Sequence, residues 1–319
     1  MAQKPVIQVR DLVKFYGDFQ ALKGISFDVN QGEILGLLGP NGAGKSTTMQ
    51  ILTSYISATS GQVTVDGIDL FKDPIAVRRL IGYLPESTPL YTDMLVYDYL
   101  MYIAQMRGID KKTAAKRIAE LAGKVGIREK ISKGVNTLSK GYRQRVGLAQ
   151  ALIHNPKIVI LDEPTSGLDP NQIVEIRNVI KELGKDHTII LSTHILPEVR
   201  QTCDRIVIIH EGEKVVDGRQ DELEGRAIKE HRLVVGVAAN GTDSAAIRDQ
   251  LGALPGIDSV SLGAPGKLPT EHYTYEIRAS KDARPAIFKW AQTDGHDLIE
   301  LTRKARDLEN IFQELTVGQ

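Results

Sequence analysis

Short apolar runs alternate with longer helical stretches and glycine-rich turns from about residue 6 to residue 218. Three of these runs, 33–38, 157–161 and 188–191, are dominated by Leu, Ile and Val. Parallel strands that are covered on both faces have this composition, because neither face needs polar residues. The pattern therefore predicts an α/β domain with a largely parallel sheet.

Between residues 85 and 155 the pattern becomes mostly helical. The spacing of apolar residues predicts helices at 97–106, 111–123 and 139–154. We expect a helical subdomain at about 86–155, inserted into an α/β domain that spans residues 1–222.

The last third of the chain has a different pattern. A charged stretch with little periodicity predicts a linker at 223–232, followed by an accessory domain at 233–319. The predicted order is strand 233–239, helix 244–254, strand 257–262, strand 272–279, helix 284–292, strand 298–302 and a last helix at 308–315. The βαββαβ order indicates a small α+β domain of the ferredoxin-like type.

Composition narrows the function classes. Of 319 residues, 40 are basic and 40 acidic, so the formal net charge is zero and a broad surface for nucleic acid is not expected. Cys203 is the single cysteine, which excludes an internal disulfide and suggests a reducing compartment. No apolar run reaches the roughly 20 residues that span a bilayer, so we do not expect the chain to cross a membrane by itself.

Residues 39–46, GPNGAGKS, fit the P-loop pattern GxxxxGK[ST] and stand between an apolar strand and a helix-compatible segment. Glycines let consecutive backbone N–H groups point at phosphate oxygens, and the following helix adds its positive end. Lys45 would reach the β- and γ-phosphates, and the Ser46 hydroxyl would bind Mg²⁺. The alternative, a glycine-rich turn that binds nothing, does not explain the strand in front of it.

A second strand, 158–161, ends in Asp162 and Glu163. Open α/β sheets place their sites at the carboxyl ends of strands. Asp162 suits Mg²⁺, directly or through water, and Glu163 suits a general base that deprotonates the attacking water. A strand ending in acids at a solvated turn is an equally good explanation of this element alone, but a P-loop in the same chain favours the catalytic one.

Further motifs give the chain a family resemblance. Residues 138–145, LSKGYRQR, resemble the signature of ABC-type ATPases, and 161–169, LDEPTSGLD, continue in the ABC order. Ser192-Thr193-His194 resembles the switch-histidine region, 15–17 the adenine-stacking aromatic site, and 83–86 the glutamine loop. These motifs cover roughly residues 6–218 in their expected order.

The resemblance implies an ATP-binding, ATP-hydrolysing subunit that works as a head-to-tail homodimer, with each ATP held between the P-loop of one copy and the signature of the other. Glu163, His194 and Lys45 would be catalytic. Mg²⁺ would be held by Ser46, Asp162 and Glu86. The implied nucleotide contacts are Tyr16, Gly39, Pro40, Asn41, Gly42, Ala43, Gly44, Lys45, Ser46, Thr47, Glu86, Ser139, Gly141 and Asp169.

The implied partners are separate transmembrane permease subunits, and nucleic acid is not expected. The implied location is cytoplasmic, peripheral on the inner face of the cell membrane. Tyrosines at 91, 97, 99 and 102 lie where the family receives a permease segment, although ordinary helix packing explains about half of them. The C-terminal region, with residues 301–316 at its end, resembles the small extension of exporter-type subunits, which indicates export.

Two departures from the family pattern leave alternatives open. Glu86 stands where the family has glutamine, and Lys140 and Tyr142 replace the glycine and glutamine of the signature. Because of Glu86, a nucleotide-gated interaction module with little ATP turnover remains an alternative function. The presence of Glu163 argues against it. An ABC ATPase that acts on nucleic acid is the other alternative. Those relatives carry a long coiled-coil insertion or two cassettes, and this chain has neither.

Overall fold

The computed structural model describes residues 5–219, 222–223, 231–238, 243–263 and 272–304. The chain divides into two compact units, Met1–Gln220 and Asp221–Gln319. No helix among the described residues combines the length and the apolar composition needed to cross a membrane.

The described residues of the first unit form seventeen α-helices and β-strands. In chain order they are β1 (Pro5–Tyr16), β2 (Phe19–Asn30), β3 (Ile34–Leu38), α1 (Lys45–Leu52), β4 (Ser60–Val65), β5 (Ile68–Asp69), α2 (Pro74–Leu80), β6 (Ile81–Leu84), α3 (Val96–Met106), α4 (Lys111–Lys124), α5 (Lys140–Leu152), β7 (Ile158–Asp162), α6 (Pro170–Gly184), β8 (Thr188–Thr193), α7 (Leu196–Thr202), β9 (Arg205–His210) and β10 (Glu213–Arg219).

A six-stranded sheet in the order β10-β9-β3-β8-β7-β6 forms the centre of this unit. The strands from β9 to β6 are parallel, as predicted, and every residue of β3, β7 and β8 is buried. Their carboxyl ends therefore meet at one edge of the sheet, which is where the P-loop and the acidic pair lie.

The prediction of a single, largely parallel sheet was incomplete. A second sheet, β2-β1-β4-β5, is antiparallel, and β10 pairs antiparallel with β9. The pairing of β1 with β2 is broken by register shifts, which disturb the period of two that identifies a strand in sequence. One hydrophobic cluster joins Leu22 of this sheet, Met49 of α1 and Leu37 of the central sheet, so α1 is fixed from two sides.

The three predicted helices of the helical region form close to their expected positions, as α3, α4 and α5. They pack against one another, and α5 also packs against β6. The Tyr99 hydroxyl on α3 donates a hydrogen bond to Gln150 on α5, inside a contact that buries Tyr99 almost completely. The contact with β6 places α5 against the edge of the sheet, and Ser139, just before the helix, is exposed.

The second unit has the predicted ferredoxin-like order. Its elements are β11 (His231–Ala238), α8 (Ser244–Gly252), β12 (Ile257–Leu262), β13 (His272–Ala279), α9 (Arg284–Asp294) and β14 (Leu298–Lys304). The strands are antiparallel in the order β12-β13-β11-β14. Both helices pack on one core with Val235, Tyr275 and Ile277. The predicted last helix, 308–315, and most of the predicted linker lie outside the described residues.

Candidate nucleotide site

The loop between β3 and α1 needs glycine at several positions. Gly42 has φ +79° and Gly44 φ +106°, in the left-handed region that other residues rarely adopt. A Cβ on Gly44 would lie 2.9 Å from the Ala21 carbonyl oxygen, and one on Gly39 would lie 2.2 Å from the Ile209 carbonyl oxygen. The loop therefore wraps tightly over neighbouring backbone, and α1 begins at Lys45 without a side-chain cap. Its first N–H groups remain available to an anion.

Lys45 lies inside this loop. Only 5% of its side chain is exposed, and its Nζ donates to the carbonyl oxygens of Gly39 at 2.8 Å and Pro40 at 3.1 Å. The Nζ is 3.6 Å from Oε1 of Glu163. Burial lowers the pKa of Lys45, and the charge of Glu163 opposes that shift. A buried ammonium held in this way is a fixed positive charge for phosphate oxygens.

Ser46 and Asp162 form an oxygen pair next to the lysine. The Ser46 hydroxyl donates to Oδ1 of Asp162 at 3.1 Å, and the Ser192 hydroxyl donates to the same oxygen at 2.5 Å. Burial raises the pKa of Asp162, while these hydrogen bonds lower it. A hydroxyl and one carboxylate fit Mg²⁺, which keeps most of its positions for water and phosphate oxygens. The described residues contain no group of three or more His, Cys, Asp or Glu that could hold a metal by themselves.

Glu163 follows β7 in a strained backbone conformation, and its carboxylate lies next to Lys45 and His194. Its φ is +47°, and its side chain is 8% exposed. His194, at the end of β8, lies with Nδ1 3.0 Å from Oε2 and 3.2 Å from Oε1. The Glu163 N–H donates to the Ser192 hydroxyl oxygen at 3.0 Å. Burial raises the pKa of Glu163, and the bond from His194 and the charge of Lys45 lower it.

These elements surround a cavity of about 450 Å³. Ten of the predicted residues line it, and three that the sequence did not suggest join them. The lining comprises Tyr16, Phe19, Ala21, Asn41, Gly42, Gly44, Lys45, Ser46, Thr47, Glu86, Glu163, Ser166 and His194.

The three unexpected lining residues follow from pairing and proximity. Phe19 pairs with Tyr16 across the hairpin between β1 and β2. The aromatic residue three positions after Tyr16 is therefore the sequence signal that could have identified it as part of the same cavity wall. Tyr16 is 46% exposed, with Nζ of Lys14 5.1 Å from its ring centre. Ala21 lies under the P-loop, and Ser166 follows Glu163 in the LDEPTSGLD run.

Asp162, which accepts a hydrogen bond from Ser46, does not line the cavity. The other predicted residues that do not line it fall into two groups. Gly39 and Pro40 contribute the carbonyl oxygens that bind Lys45, and Ala43 is buried within the loop. Ser139, Gly141 and Asp169 instead stand at two other helix beginnings and are not among the residues around the cavity. The structure therefore does not bring the signature residues to the P-loop of the same chain.

The signature residues are arranged around the start of α5. Ser139 caps this helix, with its hydroxyl oxygen 3.4 Å from the N–H of Tyr142. Asp169 caps α6 and accepts from the Gln172 N–H at 2.9 Å. A Cβ on Gly141 would lie 2.5 Å from Oε1 of Gln172, so glycine lets the two helix beginnings approach closely.

Most of the similarity to known proteins lies in the first unit. A model of the ABC transporter family matches residues 22–166, and one of an AAA domain described as a putative AbiEii toxin matches 135–200. The bacitracin transport ATP-binding protein BcrA of Bacillus licheniformis is 40% identical over 223 residues, 69% of this chain and 72% of that protein. The linearmycin resistance ATP-binding protein LnrL of Bacillus subtilis is 37% identical over 219 residues, 68% of this chain and 70% of that protein.

The similarity extends over both units in one further relative. The ABC transporter ATP-binding protein YhcH of Bacillus subtilis is 32% identical over 316 residues, 98% of this chain and 96% of that protein. A solved ATP-binding subunit of an ABC transporter has a TM-score of 0.63 at 31% identity, covering 69% of this chain and 92% of its own. The dimeric cassette MJ0796, bound to ADP and Pi after hydrolysis, has a TM-score of 0.62 at 25% identity, covering 67% and 98%. The chain therefore belongs to the ABC transporter family, as an ATP-binding subunit that hydrolyses ATP.

Proposed function

We propose that this chain powers an exporter, as a homodimer with two Mg-ATP molecules between its copies. The observation that carries the catalytic part is the buried Glu163 carboxylate, held by His194 and Lys45 at the wall of the cavity. The relatives BcrA, a bacitracin transport protein, and LnrL, a linearmycin resistance protein, support removal of a compound from the cell. The dimeric MJ0796 cassette supports the dimer.

The proposal gives a role to several residues in and around the cavity. Lys45 and the N–H groups of the P-loop hold the β- and γ-phosphates, and Tyr16 stacks on the adenine. Ser46 and Asp162 hold Mg²⁺, which supplies charge neutralisation at the phosphates when it is bound. Glu86 is proposed as a further Mg²⁺ ligand, because this exposed carboxylate lines the cavity.

Glu163 acts as the general base. Its carboxylate accepts a proton from the attacking water, and His194 keeps it aimed at the cavity. The His194 side chain is 43% exposed, so its ring also reaches the side where the γ-phosphate would lie. The backbone of Glu163 is in the left-handed region, and its carboxylate lies 3.6 Å from Nζ of Lys45.

The second copy completes the site. Ser139 and the Gly141 N–H, at the positive end of α5, would face the γ-phosphate bound to the partner's P-loop. Asp169 would support the active site across the interface. Hydrolysis would then remove the charge pattern that holds the two copies together.

In this proposal the chain works beneath separate transmembrane permease subunits, on the cytoplasmic face of the membrane, and its similarity to the transport-related proteins BcrA and LnrL supports this. The exposed surface between α2 and α3 is the proposed contact with these subunits. It carries Tyr91 and Tyr102, both partly exposed.

Glu163→Gln tests the catalytic assignment. Removing the general base should lower kcat by about 10²–10⁴-fold and leave ATP binding intact, so that the ATP-bound dimer accumulates. Glu120→Gln is the matched control, because it makes the same change in an exposed carboxylate on α4 that does not line the cavity, and it should keep the wild-type rate. Steady-state hydrolysis and analytical ultracentrifugation with Mg-ATP measure both effects. Wild-type turnover in Glu163→Gln would remove Glu163 from its role.

A further inference from the structure

Glu198 is a buried carboxylate that lies close to the nucleotide site but does not line its cavity. It belongs to the first turn of α7 and is 8% exposed. A Cβ on Gly36 of β3 would lie 2.5 Å from Cγ1 of Val199, so glycine lets α7 lie directly against the strand that leads into the P-loop. Glu198 therefore has a firm support next to the central sheet.

One oxygen of this carboxylate joins two segments of the site. Oε2 of Glu198 accepts a hydrogen bond from the Thr165 hydroxyl at 2.7 Å and another from the Thr193 hydroxyl at 3.0 Å. Thr165 follows Glu163 by two residues. Thr193 immediately precedes His194. A single oxygen thus sets the separation between the segment of the proposed base and the segment of its histidine neighbour.

The other oxygen of Glu198 indicates that the carboxylate does not serve packing. Oε1 is buried and has no hydrogen-bond partner among the described residues. An incompletely satisfied buried carboxylate costs folding free energy, which an apolar side chain of similar size would avoid. The adjoining cavity has a volume of about 10 Å³, roughly the space of one water molecule, so it is too small for a ligand. The two threonine hydroxyls are what this carboxylate serves.

The histidine needs such a support. Its side chain is 43% exposed, so packing alone does not hold the ring, and its position depends on the backbone on either side of it. The Thr193 hydroxyl accepts from the Ile195 N–H at 3.1 Å, which closes the turn that carries His194. The same hydroxyl donates to Glu198, so this bond fixes the turn to α7.

We propose that Glu198 is a positioning residue for ATP hydrolysis, whose carboxylate acts through Thr165 and Thr193 to hold His194 on the Glu163 carboxylate. The inference rests on the proposed function, because it takes Glu163 as the general base. Glu198 does not line the cavity, so it acts on the chemical step and not on ATP binding. Misplacing a group of the site by about 1 Å can lower the rate as much as 10²-fold.

Substitutions of Glu198 test the effect on catalysis. Glu198→Ala should lower kcat by about tenfold and leave the KM for ATP within about twofold, because only the placement of His194 changes. Glu198→Gln keeps a carbonyl oxygen that can accept from both hydroxyls, so its kcat should stay within about threefold of wild type. Steady-state hydrolysis measures both parameters.

Glu33 provides the matched control for removal of a buried carboxylate. It is also 8% exposed and accepts two hydrogen bonds from Asn30, but it precedes β3, at the opposite end of that strand from the P-loop. Glu33→Ala should keep kcat within about twofold of wild type. Thermal unfolding of Glu33→Ala and of both Glu198 variants checks that they are folded at the assay temperature.

Thr165 gives a second test that leaves the carboxylate in place. Thr165→Val keeps the shape of the side chain and removes the hydroxyl donor, so kcat should fall by about threefold or more. Thr165→Ser keeps the hydroxyl and should stay within about twofold of wild type. Equal rates in the two variants would overturn the inference even if Glu198→Ala does not fold.

A double-mutant cycle with His194 distinguishes positioning from a general loss of structure. In the His194→Ala background no imidazole is left to position, so adding Glu198→Ala should slow hydrolysis by less than a further twofold or so. Hydrolysis of radiolabelled ATP measures these slow variants. A loss of about tenfold in both backgrounds would mean that Glu198 acts independently of His194, which overturns the inference.

The outcomes separate the inference from the proposed function. If Glu163→Gln is slow but a folded Glu198→Ala keeps the wild-type kcat, or raises KM instead of lowering kcat, the inference alone is overturned. Wild-type turnover in Glu163→Gln would instead remove the proposed general base, and the inference with it.

Discussion

Two helices of the first unit begin at glycine-containing motifs, and their first turns differ in their surroundings. α1 begins at Lys45 inside the cavity, with no side-chain cap and with its lysine 5% exposed. α5 begins at an exposed Lys140, with Ser139 as its cap. The first helix start is thus complete within one chain, whereas the second offers its N–H groups to the outside. The difference is what the proposed dimer requires, because in that dimer each chain contributes one half of each nucleotide site.

The largest expected contrast is between Lys45 and Ser139 in nucleotide binding. Lys45→Ala removes a buried charge from the P-loop, so the isolated chain should bind ATP about a hundredfold more weakly. Ser139→Ala should leave ATP binding by the isolated chain unchanged and lower turnover by about tenfold, because its partner is another copy's phosphate. Titration with a fluorescent ATP analogue, followed by hydrolysis assays, measures both. Weakened ATP binding by Ser139→Ala monomers would contradict the assignment of Ser139 to a nucleotide held by another copy.

The pH dependence of turnover should distinguish the half of the site that contains Glu163 from the half that contains Ser139. Glu163 must be ionised to accept a proton, and burial raises its pKa, so the rate should fall as the pH drops through that raised value. His194 lowers the pKa of Glu163, so His194→Ala should move the acid limb to higher pH in addition to slowing the reaction. Ser139→Ala should leave the position of the limb unchanged. A rate profile of kcat from pH 4 to 8 decides this, and an unmoved limb in His194→Ala would count against the contact.

The smallest effect is expected from the second unit. Deleting residues 225–319 should change the Kd for ATP by less than about twofold, because the described residues that line the cavity all belong to the first unit. Equilibrium titration of the truncated chain measures it. Loss of nucleotide binding would mean that the domain boundary proposed near residue 222 is wrong.

The regular elements could be predicted where pattern and packing agree. β3, β7 and β8 are buried on both faces, and such strands are read directly from runs of Leu, Ile and Val. The ferredoxin-like unit was predicted because its strands and helices alternate with clear periods. The antiparallel sheet was missed, because the bulged pairing of β1 and β2 removes the regular alternation.

Sequence motifs predicted the site residues, but the hydrogen bonds and contacts that hold these residues in place depend on tertiary neighbours. Ser192 donates to Asp162 and accepts from the Glu163 N–H only because β8 lies beside β7. The contact between the Lys140 side chain and Gly167, where a Cβ would lie 2.2 Å from Nζ, brings together segments 27 residues apart in sequence. The strained φ of Glu163 and of Thr88 likewise has no signal in the residues themselves.

Mixing two inactive variants tests the composite site most directly. Lys45→Ala spoils the P-loop and leaves the signature intact, and Gly141→Asp places a negative charge at the signature and leaves the P-loop intact. Each variant alone should be inactive, and their mixture should recover about one quarter of the wild-type rate, since random pairing makes half of the dimers mixed with one intact site each. A mixture no more active than its components would contradict a site shared between two copies.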